Sequence, residues 1–396
     1  MLILHTSDWH IGQTFYHFDR EDEHNHIFRQ MAEIMRACSP DALVVSGDIF
    51  HNATPSASAQ RLFVDTVIRL HEASPETAIV ITAGNHDSGS RLASHSALWE
   101  KIGVRVIGAA VRDEKGCADP KSFFVDLPEC GRIVAVPFFH PSNYPLMRPD
   151  ADRTCRCAEF FSGVMREASR CKVPIVLMAH LAVDGCDTKG HEYEPVGGQE
   201  KEPVGNMSEG YDYLALGHIH CPQQISDRAF YCGSPLPVNF TENYQHSVNL
   251  VNLTEQGAIP EVKTLPLSAL REMITIEASS FDNAIERLIM LDDKDDNYYR
   301  LLIDSEEPLP ADADSLAMSA VKGKRCRYCE TRKVPREKLC NDENNIRIDD
   351  ICDMAEYSPL DIARQSWRRV HGEEMSEELA VLLSTAISDI NQEHDA

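Results

Sequence analysis

Two carboxylates, four histidines and an amide are spaced in the first 220 residues as metal ligands would be. They are Asp8 and His10 in D-x-H, Asp48 in G-D, Asn85 in G-N-H-D, a lone His180, and His218 with His220 in G-H-x-H. Mixed nitrogen and oxygen donors suit manganese, iron or zinc better than calcium or magnesium, and no thiolate is present to favour soft ions. Seven donors are too many for one ion and about right for two that share a bridging carboxylate. Two ions roughly 3.5–4 Å apart can clamp the attacking and leaving oxygens of an in-line displacement at phosphorus. Any one of these pairs arises by chance in many chains. All five in order, each behind an apolar run, agree across levels.

Those runs are the elements that must position the donors. Leu2-Ile3-Leu4, Ala42-Leu43-Val44-Val45, Ala78-Ile79-Val80-Ile81, Pro174-Ile175-Val176-Leu177-Met178 and Tyr213-Leu214-Ala215-Leu216 each end at a motif. Continuous rather than alternating apolar residues predict strands buried on both faces. Helical patterns over residues 23–38 and 58–70 lie between them, so the order predicts an α/β layered core with helices outside. Ligands then gather at the carboxyl ends of neighbouring strands. Glycines at 47, 84 and 217 stand where a side chain would crowd the metals. Strand-like pieces over residues 230–265 predict that the sheet continues.

The pattern changes near Leu267. Strands are expected at 273–277, 298–303 and 325–334, with helices at 281–291 and 313–321, which makes a small βαβαβ domain. Two helices follow: Ser358, Pro359 and Gly372 frame the first, and Ser376 caps the second. In the second, Leu379, Leu382, Leu383, Ala386, Ile387 and Ile390 form an apolar stripe. The expected division is residues 1–266, 267–345 and 346–396.

The chain has 396 residues, 43% hydrophobic and 26% charged, an ordinary globular balance. Its amino terminus lacks the basic lead of a signal peptide, and nowhere do 18 apolar residues run together, so a cytoplasmic protein is expected. Thirteen scattered cysteines are expected to be reduced thiols. Cys326 and Cys329 have zinc-ribbon spacing, with Cys340 and Cys352 beyond, but no second pair completes a site. The formal net charge of −25 weighs against a broad phosphate-binding surface. A nucleic-acid enzyme with this charge needs bound metals, a local cationic site or a basic partner.

The five motifs in this order resemble the calcineurin-like metallophosphoesterases. The segments at residues 5–13, 83–88, 215–220 and 231–235 are similar, more closely, to the SbcD-type nucleases of double-strand-break repair. The resemblance covers nearly the whole chain. It implies that Asp8, His10 and His220 hold one metal and Asn85, His180 and His218 the other, with Asp48 bridging and manganese as the ion. It implies that His86 serves the leaving oxygen and that Asp87 orients the loop. Many phosphatases of the superfamily have an aspartate three residues after the bridging one, paired to the catalytic histidine; here His51 stands there, which leaves the orientation of His86 open.

The resemblance further implies exonuclease action on duplex DNA and endonuclease action on single strands or hairpins. It implies an SbcC-type ATPase partner and a homodimer of the nuclease chain. The small domain would be a cap over the active site. Two competing readings are a phosphoesterase for cyclic nucleotides or phosphoproteins, which has no use for the last 130 residues, and an architectural DNA-tethering protein, which has no use for a complete ligand set.

Lys322, Lys324, Arg325 and Arg327, with Arg332, Lys333, Arg336 and Lys338, make the densest basic stretch. It is read either as a solvated face or as a DNA-facing surface. The carboxy-terminal stripe, with Trp367 and Val370, packs on its own domain or docks in a groove of the partner. His5 is expected in the core and His140 in a loop. His17, His24, His26, His71, His95, His191, His246, His371 and His394 are expected at the surface.

Overall fold

The apolar runs are buried on both faces because they form an inner layer. In the computed structural model, which describes residues 1–128, 130–147, 156–188, 201–207, 209–334, 375–376 and 379–380, a first sheet has six strands. Their order is Glu261–Pro266, Ser247–Asn252, Leu2–Thr6, Ala42–Ser46, Ala78–Thr82, Val104–Ile107. The last four run parallel, and the two at the other edge are antiparallel. Ile3, Val44 and Val80 face a second sheet, whereas Leu4, Leu43, Val45, Ile79 and Ile81 face helices Glu21–Cys38 and Ala57–Ala73. A strand alternates its side chains, so two apolar neighbours require continuous apolar sequence. Each such aliphatic side chain contributes about 1.5–3 kcal/mol on full burial.

The second sheet also has six strands: Gln223–Gln224, Ala229–Tyr231, Tyr213–Gly217, Ile175–His180, Gly131–Ala135 and Phe124–Leu127. Its outer face packs on helix Arg156–Ala168 through Phe160, Phe161, Val164 and Met165. The sequence reading of one continuing sheet is therefore corrected to two sheets face to face. The segment 230–265 is shared between them, because periodicity shows that a strand is buried and not which sheet it joins.

Local signals set the helix ends. Ser56 Oγ accepts from Ala59 N at 3.2 Å, and Glu21, Asp22 and Glu23 occupy the first turn of the preceding helix, where the dipole favours them. Two histidines expected at the surface are in fact buried. His24 lies under the Trp9 loop, bonded to the carbonyls of Arg20 and Trp9 at 3.0 and 2.9 Å, and His246 bonds the Ser234 carbonyl at 2.9 Å. Free backbone carbonyls drew both inward, which no pattern in the sequence shows. His5 is fully buried against the Tyr213 hydroxyl at 2.9 Å, and burial lowers its pKa to about 3.

Strands Met273–Ala278, Tyr298–Ile303 and Arg327–Lys333 form a parallel three-stranded sheet, with helices Phe281–Ile289 and Ala313–Ala320 packed on it. Their ends fall within two residues of the expected ones. The sheet has its own core but belongs to one compact unit, Met1–Val334; Pro335–Ala396 form a second unit. Cys326 packs inside the small core and Cys329 against Phe15 and Tyr298, so the two thiols join different clusters.

In the second unit, Ser376 Oγ accepts from Leu379 N at 3.4 Å, and Leu379 is half-buried. Trp367, Leu382, Leu383, Ala386, Ile387 and Ile390 lie outside the described residues, as do Arg336, Lys338, Cys340 and Cys352. No helix among the described residues is long and apolar enough to cross a membrane.

Candidate metal centre

Five strand ends, three from the first sheet and two from the second, meet at one place. After Leu2–Thr6 the chain turns with Asp8 at φ 53° and His10 at φ 47° while Trp9 plunges into the core, its indole N–H on Thr6 Oγ1 at 3.1 Å. Asp48 has φ 51° and His218 has φ 96°. Four of the seven expected ligands thus occupy the left-handed region, a cost that the surrounding bonds must offset. Main-chain bonds do so: Asp8 N to Gly47 O and His10 N to Asp48 O, both at 3.0 Å.

The loops approach so closely that glycine is required. A Cβ on Gly47 would lie 2.3 Å from His180 Nδ1, and one on Gly84 would lie 2.1 Å from Asp48 Oδ1. Asp87 holds the same two loops together. Its carboxylate accepts from the backbone of Gly84, Ile49 and Phe50 at 2.9–3.0 Å.

Side-chain donors fall into two groups. Asp8, His10 and His220 offer atoms within 4.8 Å of one another, and so do Asp48, His180 and His218. Asn85 Oδ1 joins the second group, 3.0 Å from His180 Nε2 and 2.9 Å from His218 Nδ1. Asp48 Oδ2 lies between the groups, 3.8 Å from His10 Nε2 and 3.4 Å from His180 Nε2. All seven residues expected as ligands are thus brought together.

The chemistry of this set fits divalent cations. His180 Nδ1–H donates to the Ser46 carbonyl at 2.8 Å, which turns Nε2 toward two acceptors, Asn85 Oδ1 and Asp48 Oδ2. His220 Nδ1–H donates to Glu242 Oε1 at 3.0 Å, so its Nε2 lone pair meets His10 Nε2 at 3.1 Å, while His10 Nδ1 is buried with no partner. Acceptors that converge in this way favour a positive charge among them, held as a proton or as a metal ion. The electrostatics agree. Burial opposes charge on His180, yet Asp48 and Asp8 raise it to about 9. Burial also opposes charge on Asp48, yet His180, His10 and His86 hold it well below the usual carboxylate range.

His86 stands beside this cluster. Its backbone N–H donates to Asp48 Oδ1 at 2.9 Å, and its Nδ1–H donates to the His51 carbonyl at 2.8 Å. The orientation left open by the missing aspartate is therefore set by the main chain of residue 51. The His51 ring itself stacks beside His86, with centroids 5.8 Å apart.

A cavity of about 730 Å³ opens over the donors. It is lined by His10, Asp48, Asn85, His218 and His220 and also by Phe15, Tyr16, Phe240, Arg300 and Arg332. Of the basic residues expected to face DNA, Lys324 pairs with Asp293 at 3.1 Å and Arg327 pairs with Asp296. Arg325 lies 3.6 Å from Asp296, and Lys322, an exposed residue, does not line this cavity. The cations that do line it are Arg332, from the expected basic stretch, and Arg300, which sequence reasoning missed. It also missed Glu242, which sits in a polar stretch without a pattern.

The calcineurin-like phosphoesterase family profile matches residues 1–222. The chain is 32% identical over 311 residues to the SbcD component of the SbcCD nuclease of Rhodobacter capsulatus, covering 74% of this chain and 77% of that protein. It is 28% identical over 295 residues to the SbcD component of Escherichia coli strain K12, covering 70% and 71%. To the same component of Bacillus subtilis strain 168 it is 30% identical over 267 residues, covering 64% and 66%.

Proposed function

Since this chain belongs to the calcineurin-like phosphoesterase family, among the SbcD nucleases, we propose that it hydrolyses DNA phosphodiester bonds at the centre shared by Asp48. Asp8, His10 and His220 would hold one divalent ion and Asn85, His180 and His218 the other, with Asp48 shared between the two groups. The mixed donor set suits manganese, iron or zinc, and manganese is the ion proposed by resemblance to the family. The pair supplies Lewis acidity toward phosphate oxygens and acidifies the attacking water.

The protein's own residues do the rest. His86, fixed through Nδ1 by the His51 carbonyl, presents Nε2 to the departing sugar oxygen and gives it a proton. Asp87 keeps the two loops in register, and the His51 ring packs beside His86. The action proposed is exonuclease on duplex ends and endonuclease on single strands and hairpins, within a cytoplasmic complex with an SbcC-type ATPase and a second copy of this chain. Lys322, Lys324, Arg325 and Arg327 belong to the cap in this reading, and Trp367 with the stripe at 379–390 to the ATPase contact. Deleting residues 376–396 should abolish co-purification with the ATPase while the metal centre is kept; undiminished co-purification defeats that contact.

The observation that carries the reading is the convergence of two donor groups on one carboxylate. The purified chain with manganese should cut linear DNA, and chelation should stop it. His86→Ala should lower kcat by about 100- to 10,000-fold while manganese still binds by calorimetry. A variant that cuts at the wild-type rate removes His86 from the mechanism; no metal-dependent cutting by the native chain removes the reading.

A further inference from the structure

We propose that Arg300, supported by Arg332, holds the phosphate next to the one being cut, so that the cleft selects a strand with flanking phosphates over an isolated phosphodiester. This rests on the nuclease reading above and adds to it the residue that recognises the polymer.

Arg300 lies on strand Tyr298–Ile303, at the register shift where the small sheet is irregular, and lines the cavity that the metal ligands also line. Its guanidinium lies over the Phe240 ring, 4.8 Å from the centroid. Its Nε and Nη2 both donate to one acceptor, Thr275 Oγ1, at 3.3 and 3.1 Å. A guanidinium has five N–H donors, so a single hydroxyl leaves most of them to be used. No carboxylate lies within salt-bridge distance of Arg300 among the described residues, whereas on the same small domain Lys324 pairs with Asp293 and Arg325 and Arg327 share Asp296.

A half-buried, uncompensated cation is costly unless an anion completes it. The cavity supplies the place. Its volume of about 730 Å³ exceeds what one phosphate at the metals would fill, and Arg300 lines it while its hydrogen bonds go to Thr275 rather than to any of the seven ligands. Phosphate suits an arginine fork because two N–H groups can reach two oxygens at once. Arg332 lines the same cavity but is paired, its Nε donating to Glu330 at 2.8 Å, so its support is secondary to that of Arg300. In a chain with a net charge of −25, Arg300 is the local cation that a polyanion can use in this cavity.

The test compares the full-length native chain with Arg300→Gln and Arg300→Lys, in manganese, on a single-stranded oligonucleotide and on bis(p-nitrophenyl) phosphate. Arg300→Gln should lose about 10- to 100-fold more kcat/KM on the oligonucleotide than on the small diester, chiefly through KM. The slope of log kcat/KM against log salt should shrink by about 0.7 for the contact removed, and Arg300→Lys should recover part of both. Equal losses on the two substrates, or an unchanged salt slope, overturn the proposal. A native chain that cuts the small diester and no oligonucleotide sinks the nuclease reading itself, a separate outcome.

Discussion

The two ends of the cleft are held by different kinds of bond. At the metal end, loops 8–10, 47–48 and 84–87 are joined through backbone amides, which donate to carbonyls and to the Asp48 and Asp87 carboxylates. Asp8 N, His10 N, His86 N and the three amides on Asp87 all serve this purpose. At the side formed with the small domain, the proposed cap, the links start from side chains. Arg20 bonds Glu23, Gln13 Oε1 and the Pro237 carbonyl, and Tyr298 reaches across to Glu23 Oε2 at 2.7 Å. A centre that must fix two cations needs ligands placed to a fraction of an ångström, and short loops bonded to one another supply that. A wall that grips a polymer need only keep its charges on the right side. The metal end should therefore fail abruptly on substitution, and the cap end gradually.

The largest effect should come from Asp48→Ala. Its carboxylate touches both donor groups and the His86 amide, so its loss uncouples all three. Cleavage should fall by at least about 1000-fold, and calorimetry should no longer show two manganese ions per chain. Two tightly bound ions in this variant would mean that Asp48 is not shared. Gly84→Ala comes next. The new Cβ meets Asp48 Oδ1 at 2.1 Å and the Asp48 amide nitrogen at 2.2 Å, and a backbone atom cannot yield as a side chain would. We expect a loss of about 1–3 kcal/mol in denaturant unfolding together with weakened metal binding. Full stability would show that the loops are looser than their bonds suggest.

Glu242→Gln probes a single ligand. The buried carboxylate accepts from His220 Nδ1–H and from the Val238 amide, and glutamine keeps the shape while losing the charge. One manganese site should weaken by about 10- to 100-fold and the other hold its affinity. Equal weakening of both would contradict the assignment of His220 to one ion.

The same contrast decides what could be read from the sequence. Asp8, His10, Asp48, Asn85, His180, His218 and His220 were legible because each ends a buried strand, and the loop geometry that unites them is local. The βαβαβ pattern after residue 267 was legible for the same reason. Glu242 and Arg300 were not, since their roles come from contacts 22 and 60 residues away, with His220 and with Phe240. The basic stretch at 322–327 was visible, but its aspartate partners at 293 and 296 were not assigned to it, because only the folded sheet brings them together. Orientation of His86 escaped for a third reason: a backbone carbonyl performs it, and any residue at position 51 carries one.

The smallest effect expected is that of Tyr298→Phe, which tests whether the cap end is held independently. The ring is fully buried against Phe15 and Phe18, and phenylalanine fills the same space. Only the hydroxyl bond to Glu23 is lost, and Glu23 keeps Arg20 at 3.0 and 3.2 Å and Arg271 at 3.8 Å. Because the carboxylate stays paired, the cost should be about 1 kcal/mol rather than that of an orphaned buried charge. Denaturant unfolding measures it, and manganese titration of the same variant should match the native chain. A loss of metal affinity here would show that the side-chain network under the cap reaches the ligand loops, and the division between the two ends would no longer hold.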